Sequence, residues 1–279
     1  SFPTRRSSDL VVEKIELLHV ALVGEIQKNN MPKDNPALKK LVEAFDGKPA
    51  DPARMKEAQE ALESAIVIVS RGIVAKNEGV RSTFDMLYRL YQSQPNLNIR
   101  TSTSISNQAY STPAPLAYLG SVLADVTHQT SLYEPTGGNG MLTINALPAN
   151  VTVNELEHGR IASLKTQGFS KVLEGDALKA DVAPKSQDRV MTNPPFGSVK
   201  NDKGEPIKVS VDGYKIGQID HLIAARALET MKDDGKATLI IGANKVTGGL
   251  NTDDRIFFNW LYGNYNVTSH FELDEIGRA

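Results

Sequence analysis

The second half of the chain alternates short runs of β-forming residues with helical patterns, and this alternation narrows the choice of fold most. Strands that are separated by helices usually pair in parallel, because the chain must cross back over the sheet before each new strand begins. A parallel sheet needs cover on both faces, so we predict an α/β fold with a mostly parallel sheet between helices. The candidate strands are 131–133, 151–153, 171–173, 189–191, 237–241 and 267–273, and the helices include 115–126, 159–166 and 219–231.

The first part of the chain has a different pattern. Up to about Tyr91, apolar residues recur at spacings of three and four, which is typical of one face of an α-helix. Three such stripes cover 11–26, 55–73 and 80–91. Asp51-Pro52 predicts a helix start, since aspartate caps a helix and proline fits its first turn. We interpret the stripes as the core of a helix bundle.

We therefore divide the chain into a helical N-terminal region, 1–100, and an α/β domain, 101–279, joined by a polar linker or surface loop at 93–111. The first ten residues resemble translated sequencing-adapter sequence and do not form a secretory signal. The chain stops soon after the last strand pattern, and we expect a fragment that lacks C-terminal residues.

Composition excludes several classes of function. The chain has no cysteine, so it can form neither disulfides nor thiolate metal sites. Its five histidines are scattered at spacings that do not suit a metal, and no metal site is predicted. No apolar run approaches the ~20 residues of a membrane span, so we expect a cytoplasmic protein. The net charge of −2 does not by itself indicate nucleic-acid binding.

A glycine-rich turn follows the first predicted strand. Residues 134–140 read Glu-Pro-Thr-Gly-Gly-Asn-Gly, and the next two strands end in Glu155 and Asp176. The ends of parallel strands share one sheet edge, where an acid can bind the ribose hydroxyls of a nucleotide. A plain strand-to-helix turn and helix-capping acids remain an alternative interpretation. The three acids together favour a nucleoside-type cofactor, and they would repel a pyrophosphate.

The most specific signal follows the fourth predicted strand, where 192–197 read Thr-Asn-Pro-Pro-Phe-Gly. Consecutive prolines fix the backbone and remove hydrogen-bond donors. The Asn193 side-chain oxygen and the Pro194 carbonyl are then acceptors for the two hydrogens of an exocyclic amine. Phe196 offers a flat face for a base flipped out of a duplex. The alternative is a tight turn with a core phenylalanine.

These motifs together resemble those of S-adenosylmethionine (SAM)-dependent adenine-N6 DNA methyltransferases, over roughly 107–273. Thr112-Pro113 resembles the family's element that closes over the methionine end of SAM, although in isolation it fits a proline-started helix cap better. The order of features resembles that of type I restriction-modification methylase subunits: first a helical region, then this element, then the glycine turn and Asn-Pro-Pro-Phe. The same order resembles the methylase part of phage anti-restriction methylase/helicase proteins.

The resemblance implies a Rossmann-like sheet, SAM as cofactor and a role for each motif. Gly138 and Gly140 would line the methionine part, Glu155 would hold the ribose hydroxyls, and Asp176 would accept from the adenine amine of SAM. Glu134 and Gly137 depart from the aspartate and cysteine common in the family. The full assignment is cofactor binding by Thr112, Pro113, Glu134, Pro135, Gly138, Gly140, Glu155 and Asp176, and catalysis by Asn193, Pro194, Pro195 and Phe196.

Two other functions remain open at this point. Methyltransferases for ribosomal RNA or for protein glutamine use similar Asn-Pro-Pro motifs. A catalytically idle SAM-fold module that only binds nucleic acid or a partner is the other alternative. The expected partners are DNA and either a specificity subunit or a missing C-terminal target-recognition or helicase region. We expect the chain alone to bind SAM but to read DNA sequence poorly, because no recognition element remains after the sheet is complete.

Overall fold

A computed structural model describes residues 18–76, 78–95, 111–243, 245–246 and 249–273. Its helices are α1 (described residues 18–27), α2 (Asn35–Asp46), α3 (Pro52–Ala75), α4 (Val80–Gln92), α5 (Ala114–Leu123), α6 (His158–Lys165), α7 (Ile219–Glu229) and α8 (Thr252–Asn264). Its strands are β1 (Leu132–Glu134), β2 (Val151–Glu155), β3 (Lys171–Glu174), β4 (Gln187–Thr192), β5 (Val209–Val211), β6 (Tyr214–Ile216), β7 (Met231–Leu239), β8 (Lys245–Val246) and β9 (Gly249–Leu250).

The N-terminal helices begin at capping residues that the sequence displays. Asp34 accepts from Ala37 N at 2.7 Å at the start of α2. Asp51 accepts from Arg54 N at 2.9 Å at the start of α3, which confirms the helix start predicted at Asp51-Pro52. Each such cap satisfies an otherwise unbonded N–H of the first turn. The part of the first stripe before residue 18, including Val11 and Ile15, lies outside the described residues.

The N-terminal helices share a core with the sheet. Leu22, Leu38 and Leu62 form one cluster inside the helical region. Farther along, Val67 of α3 and Leu87 of α4 join a second cluster with buried residues of the strands and of α5. Apolar area buried between the two parts stabilises both of them at once. The helical region is therefore packed onto the sheet across a shared core.

The main sheet has five strands in the order β3-β2-β1-β4-β7, and every neighbouring pair is parallel. Leu132 of β1 pairs with Val151 of β2 on one side and with Arg189 of β4 on the other. This is the strand order of a Rossmann-like fold. The predicted α/β class with a mostly parallel sheet is confirmed.

Successive strand residues face opposite sides of the sheet, and each side is covered by helices. Leu132 and Met191 belong to the cluster that includes α5 and Leu164 of α6. Their chain neighbours Tyr133 and Val190 pack with Ala227 of α7 on the other side. The strands are therefore buried on both faces, as a parallel sheet requires.

Several local features of the structure differ from what the sequence indicates. The glycine turn leads into a short 3-10 turn at Met141–Thr143 and not into an α-helix. The strand predicted at 267–273 is wrong: these residues form no strand, and Phe271 is 65% exposed. A β-forming run becomes a strand only where a neighbour completes its hydrogen bonds, and no described strand pairs with this one. Helix α8 was not predicted, although Asn251 caps it.

Candidate functional site

The strand order reverses between β1 and β4. From β1 the sheet continues to β2 and β3, whereas β4 continues to β7 on the other side. Ligands of open α/β sheets bind in the crevice at such a reversal, beyond the carboxyl ends of the strands. The glycine turn follows β1 and Asn193 follows β4, so both motifs lie at this crevice.

A cleft that is partly open to solvent occupies this position; it encloses about 640 Å³ of empty space when the solvent at its mouth is included. It is lined by the predicted residues Thr112, Pro113, Glu134, Gly138 and Asn193. The other predicted site residues are not part of its lining: Pro135, Gly140, Glu155, Asp176, Pro194, Pro195 and Phe196. Of the polar segment 93–111, Gln94 and Ser111 line the cleft, whereas 96–110, with Tyr110, lie outside the described residues.

The glycine turn lies tightly over the end of β2. A Cβ atom at Gly137 would stand 2.8 Å from Val153 Cγ2, so only glycine fits without a shift. Gly140 has a φ of 93°, a left-handed conformation that favours glycine. The Asn154 side chain donates to the Pro135 carbonyl at 3.0 Å and holds the start of the turn. The turn thereby brings its backbone to the cleft wall.

Glu134 is a buried acid at the end of β1, only 1% exposed. Its Oε1 accepts from the Thr136 amide at 3.0 Å and from the Thr136 hydroxyl at 3.1 Å. Its Oε2 is buried and has no hydrogen-bond partner among the described residues. Burial raises the pKa of Glu134 to about 8. The side chain is thus a neutral acid at pH 7 that a cationic ligand would ionise.

Glu155 braces the glycine turn. Its Oε2 accepts from Gly138 N at 2.7 Å, and its Oε1 accepts from the backbone amides of Leu156 and Glu157 at 2.9 Å. A carboxylate has about four acceptor positions, so one remains at Oε2. That position suits a single hydroxyl group. Its predicted contact with ribose stays a prediction, and the turn-bracing role is an addition from the structure.

Asp176 lies at the end of β3 and is exposed. Its Oδ1 accepts from Leu178 N at 3.0 Å and caps the 3-10 turn Ala177–Lys179. This is the capping alternative that the sequence left open. A contact with a cofactor's adenine stays a prediction for this side chain.

Asn193 joins two motifs that are far apart in sequence. Its Nδ2 donates to Thr112 Oγ1 at 3.0 Å, which fixes the orientation of the amide. Its Oδ1 is buried and has no partner among the described residues. Thr112 is 7% exposed, so the contact is shielded from water. The sequence predicted that both residues serve the site, but it did not predict that the threonine orients the asparagine.

The Phe196 ring is half-buried against the end of β7. A Cβ atom on Gly242 would lie 3.2 Å from Phe196 Cδ1. Two hydrogen bonds hold Gly242 in place. Its N–H donates to Asp220 at 2.8 Å, and its carbonyl accepts from His221 Nε2 at 2.9 Å. Gly197 O accepts from Ile219 N at 2.7 Å and anchors the loop exit. Sequence reasoning missed this support from α7.

The prolines of the motif lie within the same anchored loop. Pro194 is buried and Pro195 is half-buried. Neither can donate a backbone hydrogen bond, so the loop presents carbonyl oxygens at this point. Asn193 Oδ1 and the Pro194 carbonyl are thus two hydrogen-bond acceptors on consecutive residues.

A polar network from α3 meets the glycine turn. The Asn139 side-chain amide donates to Glu60 and Glu63, both at 2.9 Å. Arg160 contacts Glu60 through Nε at 3.1 Å and Nη2 at 3.2 Å. The Ser111 hydroxyl also donates to Glu63. Burial, together with the charge of Glu60, raises the pKa of Glu63.

Sequence reasoning missed these residues because their contacts span 48 to 100 positions. Neither acid belongs to a motif, and both stand on the polar side of a helical stripe that predicts only a bundle core. Ile66, which belongs to that stripe, lines the cleft as well. The only available signal was the density of glutamates in α3.

Two kinds of site are absent from the described part of the chain. It contains no group of three or more histidine, cysteine, aspartate or glutamate residues able to hold a metal. None of its helices is long and apolar enough to cross a membrane.

No protein-family model and no curated protein matches the chain. Among solved structures, it is similar to a type I restriction-modification methyltransferase subunit from Streptococcus thermophilus, with 14% identity and a TM-score of 0.37. That match covers 81% of this chain and 55% of the subunit, so the chain spans about half of that subunit's length. It is also similar to a Listeria monocytogenes protein assigned to the class I SAM-dependent methyltransferases, with 15% identity and a TM-score of 0.40, over 90% of this chain and 80% of that one. At this level of similarity, function has to be inferred from the chain's own residues.

Proposed function

We propose that this chain transfers a methyl group from SAM to the exocyclic N6 amine of a flipped-out adenine in DNA. The observation that supports this most is the Asn193 side chain at the reversal of strand order. Its amide nitrogen is held by Thr112, and its oxygen is an unused buried acceptor. An acceptor with a fixed direction is what an amine of low nucleophilicity needs.

The chemistry of an exocyclic amine explains why acceptors are required. The lone pair of adenine N6 is delocalised into the ring. Two acceptors, Asn193 Oδ1 and the Pro194 carbonyl, would bind its two hydrogens and favour a tetrahedral nitrogen. The lone pair would then be free to attack the methyl carbon of SAM. As the carbon–nitrogen bond forms, the carbon–sulfur bond would break and S-adenosylhomocysteine would leave, while one N6 proton passes to solvent. Contacts that strengthen in this geometry stabilise the transition state more than the ground state.

SAM, when bound, supplies an electrophilic methyl group, and the cleft residues fit it. Its sulfonium and ammonium groups are cationic, and the cleft wall contains the orphaned Glu134 oxygen. Gly138, Thr112 and Pro113 line the same cleft, and Gly138 has no side chain to keep a ligand away from the backbone. Glu155 and Asp176 complete the proposal as the residues for ribose and adenine.

DNA is the proposed substrate because the loop that contains Asn193 also contains Phe196, whose ring is half-buried. A base inside a duplex is out of reach, so the adenine must be flipped out and stacked on such a face. We propose that DNA sequence is read by a specificity subunit or a further C-terminal region, and that the protein works in the cytoplasm. Ribosomal RNA and protein glutamine are the competing substrates that the assay has to exclude.

Transfer of a labelled methyl group from SAM to adenine-containing DNA, to RNA and to protein, measured in parallel, tests the proposal. Incorporation into DNA at adenine N6 supports it. Incorporation into RNA or protein alone would replace DNA as the substrate class. A chain that binds no SAM would refute the proposal as a whole.

The Asn193→Ala variant tests the chemistry. We expect turnover to fall by ~100-fold or more, because the variant lacks a preorganised polar contact that stabilises the transition state. SAM affinity should stay near wild type, because this contact is made to the substrate amine and not to SAM. Asn264→Ala, at an exposed asparagine on the end of α8, is the matched control and should keep full turnover. Wild-type turnover in Asn193→Ala would disprove amine activation by this residue.

A further inference from the structure

The N-terminal helical region supplies one wall of the cofactor cleft. Glu63, Ile66 and Val67 of α3 line the same space as Thr112 and Glu134. Helix α3 is held there by contacts to the α/β part, including Ser64 Oγ to Ser163 Oγ at 2.7 Å. The wall is thus a fixed part of the site.

The cleft has an excess of acidic groups. Its lining contains Glu63 and Glu134 as acids and Arg160 as its basic residue. Arg160 is already engaged by Glu60, through two hydrogen bonds in a fork-like arrangement. Its charge is therefore balanced by an acid outside the lining. The acids of the lining favour a cationic ligand group.

Unused buried acceptors in the cleft point to the same kind of ligand. Asn139 is 5% exposed and lines the cleft, and its Oδ1 has no partner in the described part of the chain. Glu134 is 1% exposed, and its Oε2 is likewise unused. Leaving buried acceptors unbonded is costly, so a donor ligand is expected to satisfy them.

The described hydrogen bonds to Glu63 both go to Oε2, from Ser111 and from Asn139. Its Oε1 has no hydrogen bond among the described residues, and Glu63 itself lines the cleft. Together with Asn139 Oδ1 and Glu134 Oε2, this gives three acceptors. An ammonium group has three N–H donors and no acceptor, so it matches this set in number, and its positive charge favours the ionised form of both carboxyl groups.

We propose that Glu63 of α3, with Asn139 and Glu134, recognises the ammonium group at the amino-acid end of SAM. This rests on the proposed function and adds to it a binding residue from outside the α/β part. The helical region thereby determines which end of the cofactor enters this side of the cleft. A ligand without an amino-acid end makes no contact with Glu63.

Calorimetric titration of the full chain with two ligands tests this. One ligand is SAM, and the other is 5′-methylthioadenosine, which lacks the amino-acid end. Glu63→Gln should weaken SAM by about tenfold or more, the scale of a lost charge-assisted hydrogen bond. It should leave methylthioadenosine unchanged. Glu57→Gln, at an exposed glutamate of the same helix, is the matched control and should affect neither ligand.

The outcomes separate the two proposals. If the wild-type chain binds neither ligand, the proposed function fails. If it binds SAM and Glu63→Gln binds SAM equally well, only the role of Glu63 fails. Equal weakening of both ligands by Glu63→Gln would show that α3 merely supports the cleft, which also overturns the role.

A ligand-side measurement covers the case in which the variant does not fold. The wild-type chain is titrated with S-adenosylhomocysteine and with its analogue in which hydrogen replaces the α-amino group. We expect the analogue to bind about tenfold more weakly or worse. Equal affinities would overturn the recognition of the ammonium group.

Discussion

Replacing Glu134 with glutamine removes a carboxyl group that the fold keeps neutral. Glutamine has nearly the same shape, and its Oε1 can still accept from the Thr136 amide and hydroxyl. What disappears is the titration. In the folded protein burial raises the pKa of Glu134 from about 4.5 to about 8, whereas in the unfolded chain it has its ordinary value.

The sign of the effect follows from proton binding. Between these two pKa values the folded state holds a proton that the unfolded state has released, so wild-type stability falls as the pH rises. The stabilisation from the neutral acid is complete below about pH 4.5 and is gone above about pH 8. Each pH unit in this window is worth about 1.4 kcal/mol, so the step from pH 5 to pH 7 costs about 2–3 kcal/mol. The free energy of unfolding of Glu134→Gln should not show this decrease, because glutamine does not titrate.

Urea unfolding at several pH values measures the difference. The free energy of unfolding of Glu134→Gln minus that of the wild type should grow by about 2–3 kcal/mol between pH 5 and pH 7. Glu57→Gln, on an exposed face of α3, should show a flat difference within about 0.5 kcal/mol. Parallel pH profiles for Glu134→Gln and the wild type would refute the assignment of a neutral buried acid at this position.

Two glycine substitutions test the geometry of the site. Gly137→Ala places a Cβ atom 2.8 Å from Val153 Cγ2, so we expect it to lose about 1–3 kcal/mol of stability in urea unfolding and to weaken SAM in calorimetry. An unchanged variant would show that the turn does not need close approach. Gly242→Ala places a Cβ atom 3.2 Å from the Phe196 ring, so the KM for DNA should rise while SAM affinity stays constant. Equal effects on both ligands would argue against a separate base-binding face. Gly72→Ala in α3, where a Cβ meets nothing within 4 Å, is the control for both.

The sequence predicted the sheet because its signals are local. β1 to β4 each contain a short β-forming run, and such runs between helical patterns indicate a buried parallel sheet. β7 is the exception, because it begins at Met231 in a polar run, ahead of the strand predicted at 237–241. The glycine turn and Asn-Pro-Pro-Phe were found for the same reason. Each motif is a short run of consecutive residues, and the backbone conformation it requires is indicated by residues within it, such as Gly137 in the first and Pro194 in the second.

The missed features depend on contacts between distant residues. Nothing near Thr112 in the sequence shows that its hydroxyl accepts from Asn193, and nothing near Glu63 shows that it reaches Asn139. Asp176 shows the reverse case: one acid at a strand end fits both a cap and a ligand contact until its neighbours are known. The strand expected at 267–273 required a pairing partner, which no local pattern supplies.

The bond between Arg160 and Glu60 also has a consequence for how the chain folds. It joins residues 100 positions apart, and Ser64 to Ser163 joins residues 99 apart, across the same contact. Contacts of such sequence separation form slowly, because a long loop must close before they contribute. During synthesis this wall of the cleft cannot form until α6 has been made, because α3 contacts Arg160 and Ser163 of α6. We therefore expect the ability to bind a ligand to appear late in refolding, after most of the helical structure has formed.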